Sequence, residues 1–467
     1  MASIANCRNT VSPLDYGIGE AKNGEETYYV LLKCHKDAVK RNCGVSYAGI
    51  KNLFLDLPQN VETIPLTFYT DFAGVRLTVK NTHKTIALFN ISQKLKPINF
   101  IKGLDIDQGK LSEYPELSRG RKLLIIEDEN PWVENREGYS YGAIRKDIML
   151  VNEGKASNKT ITHYGTHSSK PKGSYCDIVQ KKITFKNLVF VRSFESIHKT
   201  ELIDIQNQYN VEILNVSITT PDEKKLYGDA IIRITNCVDV TFKDISIHGT
   251  YSKIDKYGYG VFLNNIYNLK VIRMYARAKW GVFGTNNMNT VSLRKCDINR
   301  FDIHCYGKDV KSVDCKYSGL YNQFSSVYGT LYFKGCTFTD FTPVLMESSY
   351  NAYSPFDIVW KNCTFNLTKK QSCLFTFSGL TNVENSRPEL MRKCLPNFYI
   401  LDCQVNLAEG MKKWYLVRTG TYNFTRELDY ASAIIIKNVK VSGDAEFELS
   451  TENLKTSKTL NINIDLR

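Results

Sequence analysis

One short pattern recurs along much of this chain and limits its fold more than any other feature. A polar or small residue is followed by an apolar one, any residue, and a second apolar one. It reads Asn187-Leu188-Val189-Phe190, Asn215-Val216-Ser217-Ile218, Asp244-Ile245-Ser246-Ile247, Lys295-Cys296-Asp297-Ile298, Asp314-Cys315-Lys316-Tyr317, Gly335-Cys336-Thr337-Phe338, Asn362-Cys363-Thr364-Phe365, Asp402-Cys403-Gln404-Val405 and Asn438-Val439-Lys440-Val441. Most steps between copies lie between 19 and 29 residues. A second strand recurs at Gly260-Val261-Phe262, Gly281-Val282-Phe283 and Asp302-Ile303-His304, in steps of 21 residues. Alternation of β-branched and aromatic residues within each copy marks strands and not helices.

Two or three short strands per repeat with no helix between them exclude leucine-rich and α-helical repeats. A propeller blade needs about 40 residues per repeat. What remains is an all-β solenoid, a parallel β-helix whose coils hydrogen-bond to one another at roughly 4.8 Å. A chain of 467 residues would ordinarily split into several domains. A solenoid escapes that expectation because each coil buries its apolar face against its neighbours. The predicted organisation is an N-terminal strand and capping helix over residues 1–45, then one β-helical domain with inserted loops over 46–467. The segment Lys155 to Tyr175, rich in Ser, Lys, Gly and Thr, reads as a long solvated loop.

At the N-terminus, Asp15-Tyr16-Gly17 and Asn23-Gly24-Glu25-Glu26-Thr27 precede a helical pattern that sets Tyr28, Leu31, Leu32, His35 and Val39 on one side. This opening resembles that of pectin-lyase-like right-handed parallel β-helices, in which a short helix covers the open end of the solenoid and its unpaired strand edges. The resemblance implies action on polysaccharides, since those proteins include lyases of pectate, alginate and chondroitin-type chains, hydrolases and phage tailspikes. The clustered aspartates of calcium-dependent pectate lyases are not found, nor the Asn-Thr-Asp and double-Asp motifs of polygalacturonases. No cofactor is required by the sequence, and calcium has no support in it.

Five of the thirteen cysteines, Cys296, Cys315, Cys336, Cys363 and Cys403, share one place in the repeat and read as a buried ladder of free thiols. No pair has the Cys-x-x-Cys spacing of a zinc or redox site. The surplus of 61 Lys and Arg over 48 Asp and Glu, a net charge of +13, favours an anionic partner. Nucleic acid is disfavoured because the cations are dispersed and no recognised module is present. No stretch reaches the roughly 20 apolar residues of a membrane helix. Met1 to Arg8 lacks the look of a secretory leader, which points to a secreted, cell-surface or periplasmic protein whose leader has been removed, or else to a cytoplasmic or phage-associated one.

On the second repeat strand, Ile303 and Cys305 are expected to face the core, which turns Asp302, His304 and Tyr306 outward. A 21-residue step also stacks Lys279 on Arg300 on adjacent coils, a repulsion that an acidic ligand would relieve. Trp280, Asn286, Asn287, Gln323, Tyr328, Glu347 and Tyr350 extend the strip. Aromatic faces stack on sugars and amides bond hydroxyls, so the strip suits an extended glycan. Eliminative cleavage of a uronate polymer needs a base at C5, neutralisation of the adjacent carboxylate, and an acid for the leaving oxygen. Imidazole suits the base, so His304 is the first candidate and His248 a weaker one. Arg300, Lys279 and Asn287 fit the second task, and Tyr306 or Tyr328 the third. The expected function is therefore a polysaccharide lyase acting on an acidic glycan, glycosaminoglycan-like among the choices. The alternatives are a glycoside hydrolase using Asp302 and Glu347, and a glycan-binding, tailspike-like protein without catalysis, which trimer formation would favour.

Overall fold

Each copy of the repeat begins with a residue that turns the chain. Asn187, Asn215, Asp244, Lys295, Asp314, Gly335, Asn362, Asp402 and Asn438 all have φ between 51° and 62°. Asn, Asp and Gly enter this left-handed region at the lowest cost, which is why the position is polar or small in sequence. Arg273, at φ 53°, opens a further coil that the pattern missed because Arg is not a residue expected there. The corner columns let long strands such as Thr200–Thr219, Ile232–His248 and Tyr259–Ala276 bend while adjacent coils stay paired. At one corner the amides hydrogen-bond along the stack, Asn236 Nδ2 to Asn207 Oδ1 at 2.9 Å and Asn265 Nδ2 to Asn236 Oδ1 at 3.0 Å.

The computed structural model describes residues 10–98, 101–133, 143–162, 164–167, 171–179, 182–220, 230–248, 259–276, 281–319, 321–325, 327–347, 357–378, 395–419, 433–451 and 461–467. They form a right-handed parallel β-helix. Its interior is a set of stacked columns, one of which runs Val211, Val240, Leu269, Val291, Val310, Leu331, Ile358, Phe398 and Ile434 from coil to coil. Burial of such columns is the main stabilising term, at about 25 cal/mol per Å² of apolar surface. The five repeat cysteines continue the column begun by Leu188, Val216, Ile245 and Met274, and all five are buried and free, as their place in the repeat implied.

The helix Gly24–Arg41 is capped by Asn23, whose side chain accepts from the Glu26 N–H at 2.8 Å, and ends on Asn42 in the left-handed region. It buries Tyr28, Leu31, Leu32 and His35 as expected. Val39 is exposed instead, and Cys34 and Ala38 complete the buried face.

A five-stranded antiparallel sheet, in the order Lys155–Ala156, Ala143–Asn152, Arg121–Val133, Lys172–Asp177 and Lys96–Ile98, interrupts the solenoid. The expected loop between Lys155 and Tyr175 is corrected at its two ends, where Lys155–Ala156 and Lys172–Asp177 join the sheet, and at the short helix Tyr164–His167, while residues 157–162 run without regular structure. Leu123, Ile125, Ile148 and Cys176 of the sheet pack on Val238, Tyr209 and Tyr267 of the solenoid. The segment is also less solvated than its composition suggests, because Asn158 bonds the backbone of Leu150 and Ile148 and Asp147 accepts from the Ile161 and Thr162 N–H groups.

Candidate active site

The second repeat strand is present, but its register differs from the even 21-residue step. Val261 pairs with Phe283 and Phe283 with Phe301, steps of 22 and then 18 residues. The step at the coil of Arg300 is thus 18 residues and not the expected 21. Lys279, Trp280 and Tyr350 lie outside the described residues, and the side chains of Tyr328 and Glu347 do as well.

The shortened step is made up by a bulge. Thr285 pairs with Ile303 and Asn286 with Cys305, so His304 is the extra residue. A bulge re-aims the side chain it carries and recurs beside functional sites. Here it turns His304 toward Tyr259, with the phenol oxygen 2.8 Å from His304 Nε2. Asp302 Oδ2 lies 3.7 Å from the same nitrogen and 3.5 Å from the Tyr259 hydroxyl, which donates to it. Tyr259 reaches this point because Gly281 and Gly284 leave room for its ring: a Cβ on Gly284 would stand 2.4 Å from it.

Beneath the pair, the polar residues are anchored, not exposed. Arg300 and Asp302 form an ion pair whose side chains are 1% and 0% exposed. Gln323 donates its backbone N–H to Asp302 Oδ1 at 2.9 Å and accepts from Arg300 Nη2 at 2.9 Å. The Arg300 guanidinium also stacks 4.5 Å from the centre of the Tyr321 ring. Burial opposes its charge, yet the Asp302 carboxylate beside it and the neighbouring phenols hold its pKa above the usual arginine value. Arg300, Asp302 and Gln323 do point out of the solenoid, as alternation requires. The expectation that they form an exposed strip is corrected, since neighbouring side chains cover them.

Tyr306 is buried for a different reason. Its hydroxyl donates to the Lys146 carbonyl at 2.7 Å, so it docks the antiparallel sheet. Burial, reinforced by Asp147, pushes its pKa well above that of a free phenol. Asn287 is a corner residue at φ 54°, nearly buried, and donates to Asn264 Oδ1 at 3.4 Å. Asn286, half-buried on the strand next to the bulge, remains accessible. His248 packs 5.3 Å from the Tyr275 ring, on the next coil beyond a corner. Tyr259 was missed in sequence. Its only signal was the Gly281 and Gly284 pair on the neighbouring strand, whose missing side chains imply a close approach.

Among the described residues no three His, Cys, Asp or Glu side chains group as metal ligands, and no helix is long and apolar enough to cross a membrane. No family model and no curated protein matches the chain. Solved structures do resemble it. The Gp54 tailspike of Acinetobacter baumannii bacteriophage AP22, determined in complex with A. baumannii capsular saccharide, aligns at 11% identity and a TM-score of 0.59, covering 97% of this chain and 74% of that one. The tailspike gp61 of Pseudomonas phage phi297 aligns at 12% identity and 0.45, covering 92% and 80%. The tailspike gp49 of Pseudomonas phage LKA1 aligns at 13% and 0.42, covering 95% and 79%. At these identities the likeness concerns the fold, and the first of the three carries it.

Proposed function

We propose that this protein binds an acidic polysaccharide on the outside of its β-helix and cleaves it by β-elimination, with His304 and Tyr259 moving the proton. The observation that carries the reading is the 2.8 Å contact between the Tyr259 hydroxyl and His304 Nε2 at a bulge, over a carboxylate already neutralised by Arg300. A neutral His304 takes the proton from C5 of a uronate. The electron pair left on carbon forms the C4–C5 double bond as the bond from C4 to the glycosidic oxygen breaks. That oxygen takes the Tyr259 hydroxyl proton, and the imidazolium returns its proton to Tyr259, so both groups end as they began. Asp302 favours the transient imidazolium, while Asn286 offers an amide to the substrate carboxylate.

Arg300 and Asp302 act through the pair and not on the sugar, because neither reaches solvent. The same burial argues against Asp302 as one of two hydrolytic carboxylates. The net charge of +13 supports an acidic substrate, and the saccharide bound by the AP22 tailspike supports a capsular polysaccharide as its class. A substrate of that kind places the protein on a phage particle or in extracellular space. The N-terminal Asp15-Tyr16-Gly17 and capping helix favour the pectin-lyase-like group among β-helices.

A panel of acidic capsular and uronate polysaccharides, followed by the far-ultraviolet absorbance of the unsaturated product, tests the reading. Signal on one member should vanish in His304→Ala and in Tyr259→Phe, with binding retained. Saturated products would transfer the chemistry to hydrolysis, and binding without any product would leave a tailspike-like receptor.

A further inference from the structure

We propose that a second face of the solenoid, around the corner from the Tyr259–His304 pair, is an electrostatic track for an extended, sparsely charged anionic polysaccharide. The strand that carries the site, Phe301–Val313, turns at its corner into another sheet, and the outward positions of that sheet stack in two columns. One column runs Lys243, Ile272, Arg294, Val313, Lys334, Lys361, Leu401 and Lys437 from coil to coil. The other contains Lys270 and Lys311, then Tyr332 and Tyr399, with the Lys311 ammonium 5.8 Å from the centre of the Tyr332 ring.

From the coil of Lys243 to that of Lys437 neither column contains a carboxylate, and Asp465, beside Lys437 on the following coil, ends the run of cations. Six of the seven cations are exposed, Lys361 is half-buried, and among the described residues none of the seven forms an ion pair. Cations elsewhere on the solenoid behave differently: Lys186 pairs with Asp71 at 3.1 Å and Lys80 with Asp56 at 3.0 Å. Apart from Asp465, the nearby carboxylates stand at the corners, where Asp357 accepts from Asn397 at 2.7 Å and Asp402 from Asn438 at 2.9 Å, with Asp314 and the Arg273-paired Asp244 in the same corner column as Asp402. Lys334 and Lys361 are direct cross-strand partners, an arrangement that costs stability unless an anion lies over it.

The spacing selects the ligand. Adjacent coils are about 4.8 Å apart, so Lys243, Arg294 and Lys334, each two coils on, are about 10 Å apart, and the column to Lys437 spans about 34 Å. Duplex DNA has one charge per roughly 1.7 Å of axis and would leave most phosphates uncompensated. A glycan with an acid on every second sugar matches the period, and the Tyr332 and Tyr399 rings offer flat apolar contact between the charges. The track rests on the acidic-glycan reading above, and adds that the chain is held along a face separate from the one that cleaves it.

The test compares binding of hyaluronan, whose uronate recurs on alternate sugars, with neutral dextran and duplex DNA as competitors. The triple variant Lys334→Gln, Lys361→Gln, Lys437→Gln should lose at least tenfold in hyaluronan affinity at low salt, with a shallower salt dependence. A triple variant with the same change in net charge at the capping end, Lys33→Gln, Lys40→Gln, Lys51→Gln, should bind like wild type. His304→Ala should bind hyaluronan like wild type too. If the wild type cleaves no polysaccharide but the track variant still loses binding, the track stands and the lyase reading falls. Binding that is absent in the wild type, unchanged in the track variant, or displaced more readily by duplex DNA than by further hyaluronan overturns the track.

Discussion

Breaking the Arg300–Asp302 pair should be among the most damaging single changes available in this protein. Both side chains are essentially without solvent contact, at 1% and 0% exposure, so neither can recover hydration when its partner is lost. At an effective dielectric near 20, two unit charges at this kind of separation attract by about 4 kcal/mol. Removing one partner of a buried pair costs about 3–5 kcal/mol, because the other charge remains buried. Asp302→Asn keeps an acceptor for the Gln323 N–H but presents no anion to Arg300. Its midpoint in guanidinium denaturation should fall accordingly. The double variant Arg300→Met, Asp302→Leu removes both charges at similar volume and should recover most of the loss, since such replacements range from neutral to stabilising by about 1–4 kcal/mol. Activity should not recover with stability, because His304 and Tyr259 lose the carboxylate they share. A loss below about 1 kcal/mol in Asp302→Asn would refute the argument, as would a double variant less stable than the single one.

Three further outcomes follow from other parts of the molecule. Gly284→Ala places a methyl group in the Tyr259 ring and should cost about 1–3 kcal/mol by overpacking, with a larger proportional fall in product formation than in glycan binding. Asn236→Ala removes the link at 2.9 Å and 3.0 Å to Asn207 and Asn265 and forces Ala to φ 53°, which should lower stability by about 2–4 kcal/mol in the same denaturation assay. Burial holds the His35 pKa down at about 4, against an ordinary 6.5, with the Pro65 carbonyl pulling weakly the other way. His35 is neutral in the fold, so its contribution is complete above pH 6.5 and is lost as pH falls from 6.5 through about 4. The loss amounts to about 3 kcal/mol, and His35→Gln should flatten that part of the stability–pH curve.

What could be read in the linear chain was whatever each coil must satisfy on its own. Corners need residues that tolerate positive φ, and interiors need alternating apolar side chains. The repeat from Asn187 to Asn438 therefore announced the solenoid, and the column of Cys296, Cys315, Cys336, Cys363 and Cys403 fell inside as its position required. The capping helix was legible by the same token, through its Asn23 cap and the period of its apolar face. Register between coils is a different kind of quantity, decided by two strands together. An 18-residue coil beside a 22-residue one set His304 into a bulge and replaced the even 21-residue step expected along the chain. Burial of outward residues was likewise beyond strand alternation, which tells the face of a sheet but not what lies over it. Tyr321 covers Arg300 and the antiparallel sheet covers Tyr306. Lys334, Lys361 and Lys437 look dispersed along the chain and stand in one column only because intervening coils of unequal length return to the same face. Local propensity and period are properties of short segments, whereas a site made of Tyr259, Asp302 and His304 exists only once non-neighbouring strands have chosen their alignment.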